Sequence, residues 1–300
     1  MKIELLFLGT SEATPTKERG QTSILLRYKN ENILIDCGEG TQRQMKIAEI
    51  SPCNITRILI THWHGDHVLG LAGLLQTLGL NNYSKTLHIY GPKNTRRFLK
   101  AILNTFMFVG KIKIEVHEVD SGKIFENEDF SIVAERMKHS TYCLAYSFIE
   151  KDKRKIKKEF IKKIPGILLG KLQKNKSIKF NNKVISPEQA TFLVPGKKIT
   201  FILDTLYNEN CVNIAKNSDI LVSEATFLAS EHTQKAEERF HLTAKQAGEI
   251  AKKAKVKALI LTHISQRYAK KSEQEKILCE AKKIFKNTRL AEDFMNIELH

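Results

Sequence analysis

Cysteine is scarce and unpaired in this chain of 300 residues. The five cysteines (Cys37, Cys53, Cys143, Cys211 and Cys279) are odd in number, widely scattered and never set as C-x-x-C. That argues against a disulfide framework and for a reducing compartment, the cytoplasm. Long apolar runs are also missing, so no membrane-spanning helix and no membrane partner are expected. The opening Met1-Lys2-Ile3-Glu4-Leu5-Leu6-Phe7-Leu8 is too short and too acidic for a signal peptide and reads as a first strand. Acid is in short supply: 33 Asp and Glu stand against 49 Lys and Arg, a net charge of +16 with a pI near 9.5. That balance points to an anionic partner.

The excess is local. Residues 151–183 hold twelve lysines and Arg154 against Asp152 and Glu159, a net of +11 in about a ninth of the chain. The first half of this stretch is charged. The second, around Pro165-Gly166 and Leu168-Leu169-Gly170-Lys171-Leu172, is apolar and punctuated by glycine and proline. Such a segment shares poorly in a common core and reads as an insertion projecting from the domain. The chain as a whole is ordinary for a globular protein, 42% hydrophobic and 27% charged, and its length suits one large domain or two small ones.

Strand-like runs rich in β-branched and apolar residues occur at 3–8, 23–28, 33–36, 55–61, 87–90, 111–119, 130–134, 145–148, 199–203, 220–222 and 258–262. Helical periodicity marks 68–78, 95–106, 211–216, 243–254 and 272–285, with Thr243 placed to N-cap its helix. Strands and helices alternate throughout, which predicts sheets covered by helices. One internal echo stands out. Arg57-Ile58-Leu59-Ile60-Thr61-His62 resembles Lys257-Ala258-Leu259-Ile260-Leu261-Thr262-His263. Each is a buried-type strand ending in Thr-His, as two similar halves facing one cleft require.

The chain has ten histidines, and three of them, with one aspartate, fall in His62-Trp63-His64-Gly65-Asp66-His67. Imidazoles suit borderline metals such as zinc, and the carboxylate adds oxygen and charge. Four ligands exceed the three of a catalytic zinc. On a tight turn, His62 and His64 point one way and Asp66 and His67 another, so the loop serves two metals. The remaining ligands are sought after other strands, at His139, Asp204 and His263, with Asp204 suited to bridge.

These residues resemble the metallo-β-lactamase superfamily, and the finer motifs resemble its ribonuclease Z family, the tRNA 3′-processing endonucleases. The motifs are Phe7-Leu8-Gly9-Thr10-Ser11 with Pro15-Thr16-Lys17-Glu18-Arg19, Asp36-Cys37-Gly38-Glu39-Gly40, Glu224-Ala225-Thr226-Phe227 and Thr262-His263-Ile264-Ser265-Gln266-Arg267. The insertion's Leu-Gly-Lys-Leu resembles the flexible arm of that family as well. Leu203, Ser223, Leu242 and Lys138 depart from the family pattern without removing a ligand.

The resemblance implies an α/β (α+β) fold, a four-layer αββα sandwich over 1–300. It implies two Zn2+ per subunit, or Mn2+ or another divalent ion. His62, His64, His139 and Asp204 would hold one ion; Asp66, His67, Asp204 and His263 would hold the other. Asp66 would orient the attacking water, and His241, held by Glu224, would protonate the leaving oxygen. Lys17, Arg19, Arg267 and Lys171 would contact the substrate. The partner would be precursor tRNA rather than DNA, and the protein a homodimer. A β-lactamase or thioester hydrolase needs no arm of +11, and a purely RNA-binding protein needs no set of seven ligands.

Overall fold

The computed structural model describes residues 2–107 and 112–300. In chain order it begins with β1 (Ile3–Gly9), β2 (Ser23–Tyr28) and β3 (Glu31–Ile35), then α1 (Thr41–Ile47) and β4 (Arg57–Leu59). The histidine loop opens α2 (Gly65–Val68), followed by α3 (Leu71–Leu80), β5 (Thr86–Gly91), α4 (Thr95–Thr105) and β6 (Lys113–Glu118). Next come β7 (Gly122–Glu126), β8 (Phe130–Lys138) and β9 (Tyr142–Glu150). The basic segment contributes β10 (Lys153–Ile156), α5 (Lys158–Ile161), α6 (Gly166–Gln173), β11 (Ile178–Phe180), β12 (Lys183–Ile185), α7 (Pro187–Ala190) and β13 (Thr191–Val194). The chain then runs through β14 (Lys198–Ile202), α8 (Glu209–Ala215), β15 (Ile220–Glu224), α9 (Ala229–Glu238), α10 (Ala244–Lys253), β16 (Ala258–Thr262), α11 (Lys271–Ile284), β17 (Thr288–Leu290) and β18 (Asn296–Leu299).

Two seven-stranded sheets result, ordered β18-β1-β2-β3-β4-β5-β6 and β17-β16-β15-β14-β9-β8-β7. Each is antiparallel on one side and parallel on the other. The alternation of side chains explains the layering. In β1, Ile3, Leu5 and Phe7 face the second sheet, packing with Leu144, Tyr146, Phe201 and Val222. Leu6 and Leu8 face outward, into a layer with Met45 of α1, Leu74 and Leu75 of α3 and Leu99 of α4. On the far side, Ile202, Leu221, Leu259 and Leu261 pack against α8, α10 and α11. Three buried layers between four structural ones make the αββα sandwich.

The elements expected from pattern are present, with shifted ends. The run at 55–61 supplies a strand only over Arg57–Leu59, since Pro52–Asn54 coil into a short 3-10 turn before it. Lys111, the start of the expected 111–119 strand, lies outside the described residues. Thr243 caps α10 through a capping box with Gln246. Gly9 has a simple reason to be glycine: a Cβ there would lie 1.8 Å from the Gln21 carbonyl oxygen.

The basic insertion folds into elements of its own. It does not end at residue 183, because β13 returns to pair with β10. It has a core of its own, in which Ile164, Leu172, Ile178 and Ala190 are buried. At its base the Glu150 N–H donates to the Lys197 carbonyl (2.8 Å), and the Gly196 N–H donates to Asp152 (2.9 Å). Entry and exit therefore lie side by side.

Candidate metal centre and active site

Strand ends assemble the site. Asp36 follows β3, His62 follows β4, His139 follows β8, Asp204 follows β14, Glu224 ends β15 and His263 follows β16. Backbone bonds from one sheet to the other hold the rim: the Leu144 N–H donates to Thr61 O (3.0 Å), and the Tyr146 hydroxyl donates to Ile60 O (2.7 Å). Asp36 and His263 both adopt left-handed backbone, φ +56° and +59°, a conformation that turns the chain sharply at the strand end.

All seven expected ligands come together, as two groups that share Asp204: His62, His64, His139 and Asp204, and Asp66, His67, Asp204 and His263. The two carboxylate oxygens of Asp204 divide the work. Oδ2 faces His62 Nε2 at 3.6 Å and His139 Nε2 at 3.8 Å. Oδ1 faces His67 Nε2 at 3.4 Å and His263 Nε2 at 3.2 Å. Asp66 Oδ2 lies 3.3 Å from both His67 Nε2 and His263 Nε2.

These residues fit divalent metal. His62 Nε2, His67 Nε2 and Asp204 Oδ1 are buried without a hydrogen-bond partner. Leaving such atoms unmatched costs about 1–3 kcal/mol each unless something else pairs with them. Ligands about 2.1 Å from a tetrahedral ion stand roughly 3.4 Å apart, and the spacings above scatter around that value.

The other ring nitrogens are tied down, which orients the ligating ones. His67 Nδ1 donates to Asp36 (2.6 Å), whose carboxylate also accepts from the backbone N–H and hydroxyl of Thr61, each at 2.7 Å. His139 Nδ1 donates to the Phe240 carbonyl (3.0 Å). His263 Nδ1 lies 2.9 Å from the hydroxyl of Thr226, which donates to Glu224. Asp36, Thr61 and Thr226 were not singled out as site residues from sequence. For Asp36 the signal was available, since it sits at a strand end before Cys37-Gly38-Glu39-Gly40.

Burial drives the imidazoles of His62, His64 and His139 below their ordinary pKa, so they present lone pairs. Burial has the same tendency at His67 and His263, but carboxylates outweigh it and raise both. A metal held by that half would take the place of those protons.

His241 stands beside the ligands. Its Nδ1 is 3.0 Å from Glu224 Oε2 and 3.9 Å from Asp204 Oδ2. Burial pulls its pKa down, yet Glu224 and Asp204 prevail and lift it to about 9. Glu224 is itself held by the Thr205 N–H at 2.7 Å and the Thr226 hydroxyl at 2.5 Å. His241, His64, His139 and Arg267 line one open cleft of about 560 Å³, with Glu12, Ala13 and Thr14 on its rim.

The remaining expected substrate contacts are dispersed. Lys17 is on the other limb of the 12–20 loop, lining a separate hollow with Glu39 and Arg43. Lys171 lies on α6 of the insertion. Arg19 requires a correction. It is 4% exposed, and its guanidinium donates to Thr10 Oγ1 and the Ala291 carbonyl (2.6 Å each) and to Gln274 (3.1 Å). Three of its N–H groups are thus engaged inside the protein, and it braces the loop.

Comparison with known proteins places this geometry. The family model described as "Anti-Pycsar protein Apyc1" matches residues 3–157, a span that ends before Asp204, His241 and His263. Full-length likeness is to proteins named "Ribonuclease Z". That of Methanothermobacter thermautotrophicus is 39% identical over 301 residues, covering 99% of this chain and 97% of the relative. That of Bacillus velezensis is 39% identical over 308 residues, covering 98% of each. Among solved structures, the short form of human tRNase Z superposes with a TM-score of 0.72 at 28% identity, over 98% of each chain. The metallo-β-lactamase fold protein YhfI from Bacillus subtilis gives a TM-score of 0.71 at 18% identity, over 99% of each, a likeness of fold.

Proposed function

The chain belongs to the ribonuclease Z family, its residues 3–157 also to the family described as anti-Pycsar protein Apyc1, and on that premise we propose a specific activity. The protein is an endoribonuclease that removes the 3′ trailer from precursor tRNA by hydrolysing one phosphodiester. The tRNA keeps a 3′-hydroxyl and the trailer a 5′-phosphate. The observation that carries this reading is the Asp204 carboxylate, split between two histidine sets beside a carboxylate-held His241 in an open cleft.

His62, His64, His139 and Asp204 would hold one divalent ion, and Asp66, His67, Asp204 and His263 a second, zinc being the best match to these donors. Bound there, metal lowers the pKa of water and stabilises charge on the phosphodiester. Asp66 accepts a hydrogen bond from the attacking water and aims it. His241, protonated at neutral pH, gives its proton to the ribose 3′ oxygen as the P–O3′ bond breaks, while Glu224 keeps the imidazole charged and oriented. Arg267, on the cleft wall, meets the phosphate next to the cut. Lys17 and the lysines of the insertion, Lys171 among them, meet phosphates farther along the tRNA. Such contacts hold the RNA by charge and shape, without reading bases. We place the enzyme in the cytoplasm as a homodimer; its unpaired cysteines and tRNA substrate support the compartment.

The test is incubation with a 3′-extended precursor tRNA, with and without chelator, mapping the cut. Metal-dependent release of the trailer at the 3′ side of the acceptor stem is expected. Intact precursor under metal-replete conditions would sink the reading.

A further inference from the structure

Away from the cleft, β5 and β6 gather three ligand-bearing side chains. His88 and Glu115 are register partners in this parallel pair, and Tyr90 and His117 are the next pair on the same face. His88 Nδ1 and His117 Nε2 are 3.2 Å apart, and Glu115 Oε2 is 3.5 Å from that His88 nitrogen. One ligand atom from each residue lies within 4.8 Å of the others. We propose that His88, Glu115 and His117 form a separate divalent-metal site, suited to zinc, on the edge of the first sheet.

The donor set is two imidazole nitrogens and one carboxylate oxygen, three ligands with room for water at a fourth position. Two features preorganise it. The His117 ring stacks on Tyr90 with centroids 4.4 Å apart and planes 15° apart, and Tyr90 is itself buried. Lys113 takes Glu115 Oε1 at 3.2 Å, which leaves Oε2 turned toward His88. The neighbouring cation Arg57, opposite His88 on β4, is already neutralised by Glu31 at 3.0 Å.

The location separates this site from the cleft. His88 is level with Arg57, the first residue of β4, whereas His62 follows that strand's far end. β6 is the outermost strand of its sheet, and the chain leaves it for β7 of the second sheet. An ion held by His88 on one strand and by Glu115 and His117 on the other ties this edge down. It binds the native state alone and so stabilises it.

The experiment uses the intact, metal-loaded enzyme. Zinc is titrated into wild type and into the double variant His88→Gln/His117→Gln, with calorimetry for stoichiometry, elemental analysis after desalting, and thermal melting. Wild type should take up one more equivalent than the variant, and its Tm should rise with zinc while the variant's stays flat. Precursor cleavage should be equal in the two. A single variant, Glu115→Gln, leaves both histidines in place and should weaken this one equivalent about tenfold without lowering the Tm measured before zinc is added. Equal zinc content and equal zinc-dependent melting in all three proteins would overturn the site and leave an ordinary imidazole–imidazole hydrogen bond.

Discussion

The cleft and the basic insertion solve opposite problems. In the cleft, His67, His139 and His263 are each pinned by a contact of the second ring nitrogen, and the atoms left over converge on shared points. In the insertion, a small apolar core carries lysines that mostly face water, with few partners beyond Arg154–Glu188 and Lys153–Glu150. Chemistry requires placement to a fraction of an ångström, which burial and hydrogen bonds supply. Holding a polyanion requires only charge of the right sign over the right area.

That contrast breaks most completely at Asp204. Replacing it with Ala removes the ligand common to both groups and strands two rows of imidazoles. Cleavage of precursor tRNA and of a small phosphodiester should both fall by about 10⁴-fold, since several kcal/mol of charge stabilisation go with the metal. Elemental analysis should show the loss of bound metal, and full retention would remove Asp204 from the bridging position.

Deleting 151–196 and joining Glu150 to Lys197 through a short glycine link cuts where the chain already meets itself. Precursor cleavage at low enzyme concentration should fall by about 10³-fold, in line with loss of some six phosphate contacts, and what remains should be far less sensitive to salt. Hydrolysis of the small phosphodiester should persist. If it vanished, the insertion would be part of the site's framework.

His241→Ala should lower kcat on precursor tRNA by about 10²–10³-fold, the usual range for a general acid. A small phosphodiester with an acidic leaving group should lose much less. The pH profile sharpens this. With its folded-state pKa raised to about 9, His241 is charged at neutral pH and loses its proton as pH rises through that value. The rate on precursor should therefore fall on the alkaline side, and Glu224→Gln should move that limb to lower pH. An unmoved limb would assign it to another group.

The smallest effect separates brace from contact in the 12–20 loop. Arg19→Met leaves Thr10, Ala291 and Gln274 without their donor, which should cost about 1–3 kcal/mol of stability and lower Tm by several degrees. Its salt dependence of tRNA binding should match wild type, whereas Lys17→Ala should lower the salt slope and leave Tm unchanged.

Much of the fold was legible along the chain. The β1 run, the echo strands and the helix capped by Thr243 are local patterns, and local physics enforces them. The ligands were legible because strand ends expose side chains and histidine is sparse in this chain. Arg19 misled because a motif arginine looks alike whether its donors face solvent or carbonyls 272 residues away. The pairing beyond residue 183 was not legible because β13 carries no charge and joins the unit by pairing with β10.

The sequence by itself determined which chemistry is available: seven histidine and aspartate side chains able to bind metal, a histidine with its acid, and a concentrated basic segment. Only the tertiary structure decided how they are shared. It turned the two oxygens of Asp204 toward different histidine sets, brought Glu224 under His241, buried Arg19 and joined His88 to His117 across two strands. The reason is physical. Residue type fixes what a side chain is able to donate or accept, whereas hydrogen bonds and metal coordination fall off within an ångström, and that distance is set by which strands lie next to one another.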